Sequence, residues 1–319
     1  ETERLMSGII EIVYIVLPVF LVIGLGFSLK RTNLVNSDFL FQLNRLIFYV
    51  ALPALLFHKI SSADFSASFN PALLLGMLVS MVLVFGISYL YTVVRKYPAE
   101  ARGAFSQGAF RGNLAYIGLA IVFNAYGEQG FAVAGILIGL LVPVLNLLAV
   151  IALLLPQEDE KHSLGAAFWA YQFVFNPLVI ACFIGIVWSF LGFSVPLVLD
   201  KALDIVTGMS LPLALIAIGA SFSPQKLRGE LTKAFFSTGI KIIWMPVLTA
   251  VILLLLGVEG MELAVGVLLA GTPTATSAYI IAQQLKSDAE FSGAIIMMST
   301  VLSVFTYSFF LFVLKTWGI

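Results

Sequence analysis

Ten apolar runs, each close to the roughly 20 residues an α-helix needs to cross the hydrocarbon of a bilayer, fill almost the whole chain. They cover 8–29, 39–57, 71–94, 99–125, 130–155, 164–191, 196–222, 231–256, 261–285 and 291–314. Backbone N–H and C=O groups find no water in lipid, so a spanning segment must satisfy them internally, as a helix does. The expectation is an all-α polytopic membrane protein with ten transmembrane helices and short connections. Composition agrees: 61% of the residues are hydrophobic and 11% charged, against about 25% charged in soluble domains. The 17 basic and 17 acidic residues give no clustered positive surface of the kind nucleic acid demands. Cys182 is the single cysteine, so there is no disulfide framework and no Cys/His metal constellation. The first residues, ETERLMSG, lack a basic leader segment, and the first run is expected to stay as a spanning helix.

Lys and Arg in the loops set the orientation. The loops after the odd-numbered runs hold Lys30, Arg31, Arg95, Lys96, Arg102, Lys161, Lys226, Arg228, Lys233 and Lys286, whereas the other side holds Arg4, Lys59, Lys201 and Lys315. Ten against four places the odd loops in the cytoplasm and both termini outside it.

The two halves of the chain, 1–157 and 158–319, repeat each other. At an offset of 159, Pro18 meets Pro177, Gly26 meets Gly185, and Leu52-Pro53 meets Leu211-Pro212. At 163, Gly108 meets Gly271, Ala115-Tyr116-Ile117 meets Ala278-Tyr279-Ile280, and Gly130 meets Gly293. Five helices per half is an odd number, so the second half enters the membrane inverted relative to the first. Within this repeat the fourth run carries GAFRGNLAYIG and the ninth GTPTATSAY, helix-disfavouring stretches in mid-span. Such breaks, here at Gly112 and Pro273, survive in hydrocarbon only where protein or a wet cavity surrounds them. Paired breaks in inverted halves mark a transporter's binding site. The expectation is that the fourth and ninth helices cross where both are broken.

Each second half-helix would begin near Asn113 and near Thr274 to Ser277. Helix N-termini carry free N–H groups and partial positive charge, which suit an anion. Arg111 adds a full charge near mid-bilayer; it either faces ligand or pairs with carbonyls freed by the break. Lys241 has the same two readings, with structural pairing expected because no break lies near it in the chain. Asn113 either bonds substrate or caps the half-helix. Thr272, Thr274, Thr276 and Ser277 satisfy backbone groups, or in part bind ligand. Asn176 and Asn146, alone in apolar runs, are interhelical glue or pocket donors. Pro18, Pro53, Pro177 and Pro212 mark kinks that open room at the centre.

With LPALLF in the second run, FRGNLAYIGLAIVFNAYGEQG in the fourth, FNPLVIACFIGI in the sixth and GTPTATSAYIIAQQ in the ninth, the chain resembles the auxin efflux carrier family. That family groups the plant PIN carriers with bacterial relatives. The resemblance covers nearly the whole chain. It implies two five-helix repeats, with scaffold helices 1, 2, 6 and 7 moving against a transport domain of helices 3, 4, 5, 8, 9 and 10. It implies that Asn113 and Asn176 contact a substrate carboxylate and that Leu52 helps wall the pocket. Two departures from the plant pattern are Gly112 in place of proline and Leu178 in place of asparagine after Pro177. Arg111 and the short loop at 157–163 are similar to bacterial members, implying an inner-membrane protein that moves a small organic acid such as a malonate- or malate-like molecule.

No carboxylate lies at either break. Asp204, a turn or more inside the outer boundary, is the better proton-relay candidate, and a facilitator driven by the substrate gradient stays open. The alternative on the same fold is a sodium- or proton-coupled antiporter or symporter with a bile-acid-like or other non-carboxylate substrate. Neither a HExxH nor a GxGD-type acid is present, which argues against an intramembrane enzyme. No catalytic residue, metal or cofactor is expected. The expected partners are the substrate anion and the lipid bilayer, with a homodimer left open.

Overall fold

The computed structural model describes residues 2–62, 69–157, 176–222 and 231–318. The described residues are helical throughout, apart from turns and one isolated antiparallel bridge between Gly112 and Thr274. In chain order the helices are α1 (Thr2–Arg31), α2 (Ser37–Leu46), α3 (Leu52–Ser62), α4 (Pro71–Val94), α5 (Ala99–Phe110), α6 (Leu119–Leu154) and α7 (Pro177–Phe190). They continue as α8 (Leu197–Ala220), α9 (Leu231–Gly239), α10 (Met245–Leu255), α11 (Gly260–Ala270), α12 (Ser277–Gln284) and α13 (Ala289–Thr316).

Among the described residues, three five-residue π-turns interrupt this order: Ile47–Ala51 joins α2 to α3, Leu114–Gly118 leads into α6, and Ile240–Trp244 joins α9 to α10. The first and third each end two residues before a proline, Pro53 and Pro246. Proline has no N–H and its ring crowds the carbonyl four residues back. A widened turn just upstream relieves that clash without ending the span.

Among the described residues, seven helical stretches are long and apolar enough to cross a membrane: Ile10–Arg31, Ser37–Ser62, Pro71–Val94, Leu114–Leu154, Leu197–Ala220, Leu231–Leu255 and Ala289–Thr316. Two shorter apolar helices, α7 and α11, accompany them. Leu114–Leu154 contains the second part of the fourth run and the fifth run, which meet at a kink where Gly127 takes φ 58° and ψ −148°. Of the sixth run, 164–175 lies outside the described residues. The surface is inverted relative to a water-soluble protein. Leu21, Phe183, Leu255 and Phe305 are exposed, while Ser80, Ser88, Ser210 and Thr249 are fully buried. Lipid-facing helices have this pattern, because hydrocarbon rewards apolar side chains outside and leaves polar ones to pair within. These four hydroxyls are paired: Ser80 donates to Met77 O at 2.9 Å, Ser88 to Phe85 O at 3.0 Å, Ser210 to Ala51 O at 2.9 Å and Thr249 to Met245 O at 2.8 Å.

The chain forms two compact units. The first comprises 1–70, 115–143 and 173–222, the second 71–114, 144–172 and 223–319. In the first unit α1 packs along α8, and α3 along α7. Glycine permits the closest approach: a Cβ on Gly26 would collide with the Ile216 backbone, and one on Gly219 with Ile23 O. The second unit packs α5 against α4 and α13, and α10 against α4 and α11. Its aromatic cluster of Tyr97, Phe105 and Phe291 is nearly fully buried.

Candidate functional site

In the second unit α5 ends at Phe110, and Arg111 adopts an extended conformation, φ −78° and ψ 95°. α11 ends at Ala270, and the chain runs through Gly271 to Thr276 before α12 begins at Ser277. The two interruptions satisfy each other. Asn113 N donates to Pro273 O at 2.8 Å, and Ala275 N to Arg111 O at 2.9 Å, a short antiparallel bridge centred on Gly112 and Thr274. Backbone groups freed in an apolar interior cost several kcal/mol each when unpaired, and mutual pairing removes that cost. Pro273 contributes only its carbonyl, the one group it has to offer.

Side chains complete the frame. Thr274 Oγ1 donates to Gly108 O at 2.8 Å, Thr274 N donates to Ser299 Oγ at 3.0 Å, and Gln107 Nε2 donates to Ala278 O at 3.0 Å. Thr272 Oγ1 donates to Leu269 O at 2.8 Å. Gly112 is required for space. A Cβ there would collide with Thr272 Oγ1 and come within 3.4 Å of Lys241 Cε.

Two cations are buried in this frame. Arg111 is 5% exposed and Lys241 is fully buried. Arg111 Nη2 donates to Asn146 Oδ1 at 2.7 Å and Ser277 Oγ at 3.2 Å, while its Nη1 is buried without a partner. Lys241 Nζ donates to Ala270 O at 2.5 Å and lies 3.4 Å from Met245 Sδ. It therefore sits on the last carbonyls of α11, the negative end of the helix dipole. The π-turn Ile240–Trp244 carries Lys241, and the chain reaches the break at Gly112 in space, although about thirty residues separate Lys241 from the ninth-run interruption. Among the described residues, neither cation has a carboxylate within ion-pair distance. Buried charges are normally paired, and neither side chain meets that pattern among the described residues.

The structure brings together Arg111, Gly112, Asn113, Lys241, Pro273 and Thr274. Asn113 is buried, and its backbone, not its side chain, enters the bridge. Thr276 is half-buried ahead of α12 without a side-chain cap bond, which leaves its hydroxyl for another partner. Asn146 and Ser277 hold Arg111, Ser299 holds Thr274, and Gln107 ties α5 to α12 through Ala278 O.

Asn176 and Leu52 belong to the first unit. Asn176 is buried and caps α7, its Oδ1 accepting from Leu178 N at 2.9 Å, with Pro177 at the first helical position. Leu52 is fully buried at the start of α3. The first unit also has an open cavity of about 440 Å³, walled by apolar side chains such as Val19, Leu55, Phe123 and Leu211, with Lys59, Asn124, Asp204 and Thr207 as its polar lining. Leu55, a turn after Leu52, provides the wall at that level. Beside the cavity, buried His58 contacts Asp200 Oδ1 through Nε2 at 2.8 Å and lies 3.7 Å from Asp204 Oδ1 through Nδ1. Lys59 pairs with Glu128 at 2.8 Å. The His58 cluster was not legible in the sequence, because the partners lie more than a hundred residues apart. Groups of His, Cys, Asp and Glu able to hold a metal ion are absent among the described residues.

A family of membrane transport proteins matches residues 11–311. The chain belongs to this family, that of the auxin efflux carriers. It is a transporter rather than an enzyme. It is 29% identical over 311 residues, 96% of this chain and 97% of the other, to a protein of Rhizobium meliloti (strain 1021) named "Putative malonate transporter". An uncharacterized transporter of Methanothermobacter thermautotrophicus is 24% identical, covering 91% of this chain and 94% of its own length. The uncharacterized transporter YfdV of Escherichia coli (strain K12) is 25% identical, with 84% and 86% covered.

Proposed function

We propose that the chain is a secondary transporter or facilitator that moves a small organic anion, a carboxylate, across the membrane by alternating access. The observation that carries this is the pair of buried cations, Arg111 and Lys241, at two helix interruptions with no carboxylate partner among the described residues. A carboxylate at the bridge would accept from the free Arg111 Nη1 and from the Asn113 amide or the Thr276 hydroxyl. It would also face the N-terminus of α12. Two cations fit a dicarboxylate better than a monocarboxylate, in keeping with the name of the Rhizobium relative. Asn176 and Leu52 lie in the first unit, and anion binding here rests on the second unit alone.

The ten-helix architecture of two inverted repeats belongs to the same proposal, supported by interruptions in both the fourth and the ninth runs. Helices 3, 4, 5, 8, 9 and 10 would then move as a transport domain against helices 1, 2, 6 and 7 in a bacterial inner membrane, with both termini outside the cytoplasm. A second reading, coupling to protons, is favoured by Asp204, which lines the first unit's cavity and lies beside His58.

Uptake of labelled malonate into proteoliposomes tests the proposal. Saturable uptake, competed by other dicarboxylates and lost in Arg111→Ala and Asn113→Ala, is expected. Sodium-dependent uptake of a bile acid with no response to carboxylates would overturn it.

A further inference from the structure

Besides the Arg111 guanidinium, the frame around the two interruptions holds a second polar group whose needs are half met. Gln107 is fully buried, and its Oε1, like Arg111 Nη1, has no hydrogen-bond partner among the described residues. One is an acceptor without a donor, the other a donor without an acceptor. Both lie in the second unit.

The two side chains leave α5 together. They stand four residues apart, and Arg111 N still donates to Gln107 O at 2.9 Å. Helical spacing therefore holds through this turn and puts both on one face. Both then reach the start of α12. Arg111 Nη2 donates to Ser277 Oγ at 3.2 Å and Gln107 Nε2 to Ala278 O at 3.0 Å, adjacent residues of its first turn. The second bond also fixes the amide. Exchanging its oxygen and nitrogen would set Oε1 against the Ala278 carbonyl, two acceptors with no proton between them. Oε1 stays the acceptor, and a buried acceptor costs free energy until a donor meets it.

An ionised carboxylate answers only half of this arrangement. Its oxygens accept from Arg111 Nη1 but have no proton to give Gln107 Oε1. An O–H carried next to the carboxylate answers the other half. We infer that Gln107 is a specificity-determining residue, selecting an organic anion that donates an O–H to its Oε1 while a carboxylate accepts from Arg111 Nη1. This rests on the anion-binding reading of the site proposed above. The O–H has two chemical sources: a hydroxyl beside the carboxylate, present at any pH, or a second carboxyl that keeps its proton, present only in acid.

Isothermal titration of the full chain, wild type and Gln107→Met, with malonate, hydroxymalonate and methylmalonate tests this. Methylmalonate controls for size. At neutral pH the wild type is expected to bind hydroxymalonate about tenfold or more tighter than malonate, with methylmalonate no tighter than malonate. In Gln107→Met the ratio of hydroxymalonate to malonate affinity is expected to fall to about one. Malonate binding that strengthens about tenfold as pH falls through its second ionisation, in the wild type and not in Gln107→Met, supports the inference with the protonated carboxyl as donor. Arg111 and Lys241 are present in both proteins, so that difference belongs to Gln107. The wild-type series stands by itself where the variant does not fold. Equal affinity for malonate and hydroxymalonate with no gain in acid overturns the inference and leaves the anion site intact. An unchanged ratio in Gln107→Met also overturns it, because a structural role weakens both ligands alike. Absence of binding by all three removes the anion site itself, and the inference with it.

Discussion

At the scale of the residue, the proposed function rests on Arg111 and Lys241. Desolvating a charge is costly unless a partner replaces water, so a buried ammonium held only by a carbonyl and a thioether is a stability cost retained for a purpose. Lys241→Met is therefore expected to leave the ligand-free protein as stable or to stabilise it by about 1–4 kcal/mol, while malonate affinity falls at least about tenfold. Thermal unfolding with and without malonate reads both. Arg111→Lys is expected to lose affinity although the charge is kept, because the guanidinium holds Asn146 and Ser277 with one nitrogen and leaves another free for ligand. A point charge cannot reproduce that fork. Both cations were legible in the sequence, since charge within a spanning run is conspicuous. Their partners were not. Asn146 lies 35 residues from Arg111 and Ser277 166 residues away, and no local spacing encodes such pairs. Lys241 was expected to pair structurally because no break adjoins it in the chain. It does bond a carbonyl, yet folding also sets it beside Gly112.

At the scale of the element, small residues decide where helices meet. Along α1, a Cβ at Gly26 would run into the Ile216 backbone of α8, whereas one at Gly24 meets nothing within 4 Å. Gly26→Ala is expected to destabilise by about 1–3 kcal/mol through overpacking. Gly24→Ala, two residues away, is expected to be neutral or slightly stabilising through helix propensity. Chemical denaturation in detergent separates them. At the bridge, Gly112→Ala forces Thr272 aside and is expected to weaken malonate binding about tenfold or more while the helices remain, as circular dichroism would show. The glycine and proline in the fourth and ninth runs made interruptions legible, because both residues disfavour helix and neither is needed in an ordinary span. The π-turns were less so. Pro53 advertises its kink, but the widened turn ahead of it depends on how neighbours pack. Gly127, at φ 58° and ψ −148°, bends the chain between the fourth and fifth runs, where the sequence also divides them into 99–125 and 130–155.

At the scale of the whole molecule, the fold class followed from hydrocarbon physics. Runs of spanning length with few charges can only be helices in lipid, and the described residues bear that out with seven helices of suitable length and no strands. The cavity of the first unit and the His58 cluster arise from tertiary contacts, which periodicity does not report. If protons drive transport, Asp204→Asn is expected to abolish uphill uptake under a pH gradient while leaving malonate binding within about twofold of the wild type, measured in proteoliposomes and by thermal shift. The most direct test of the central claim, that a carboxylate is held by the buried cations at the paired interruptions, is isothermal titration of malonate into purified wild-type protein and into Arg111→Ala. Saturable one-site binding in the wild type, lost or weakened about a hundredfold in a variant that unfolds at a similar temperature, is the predicted result. Equal affinity in the two proteins would contradict it.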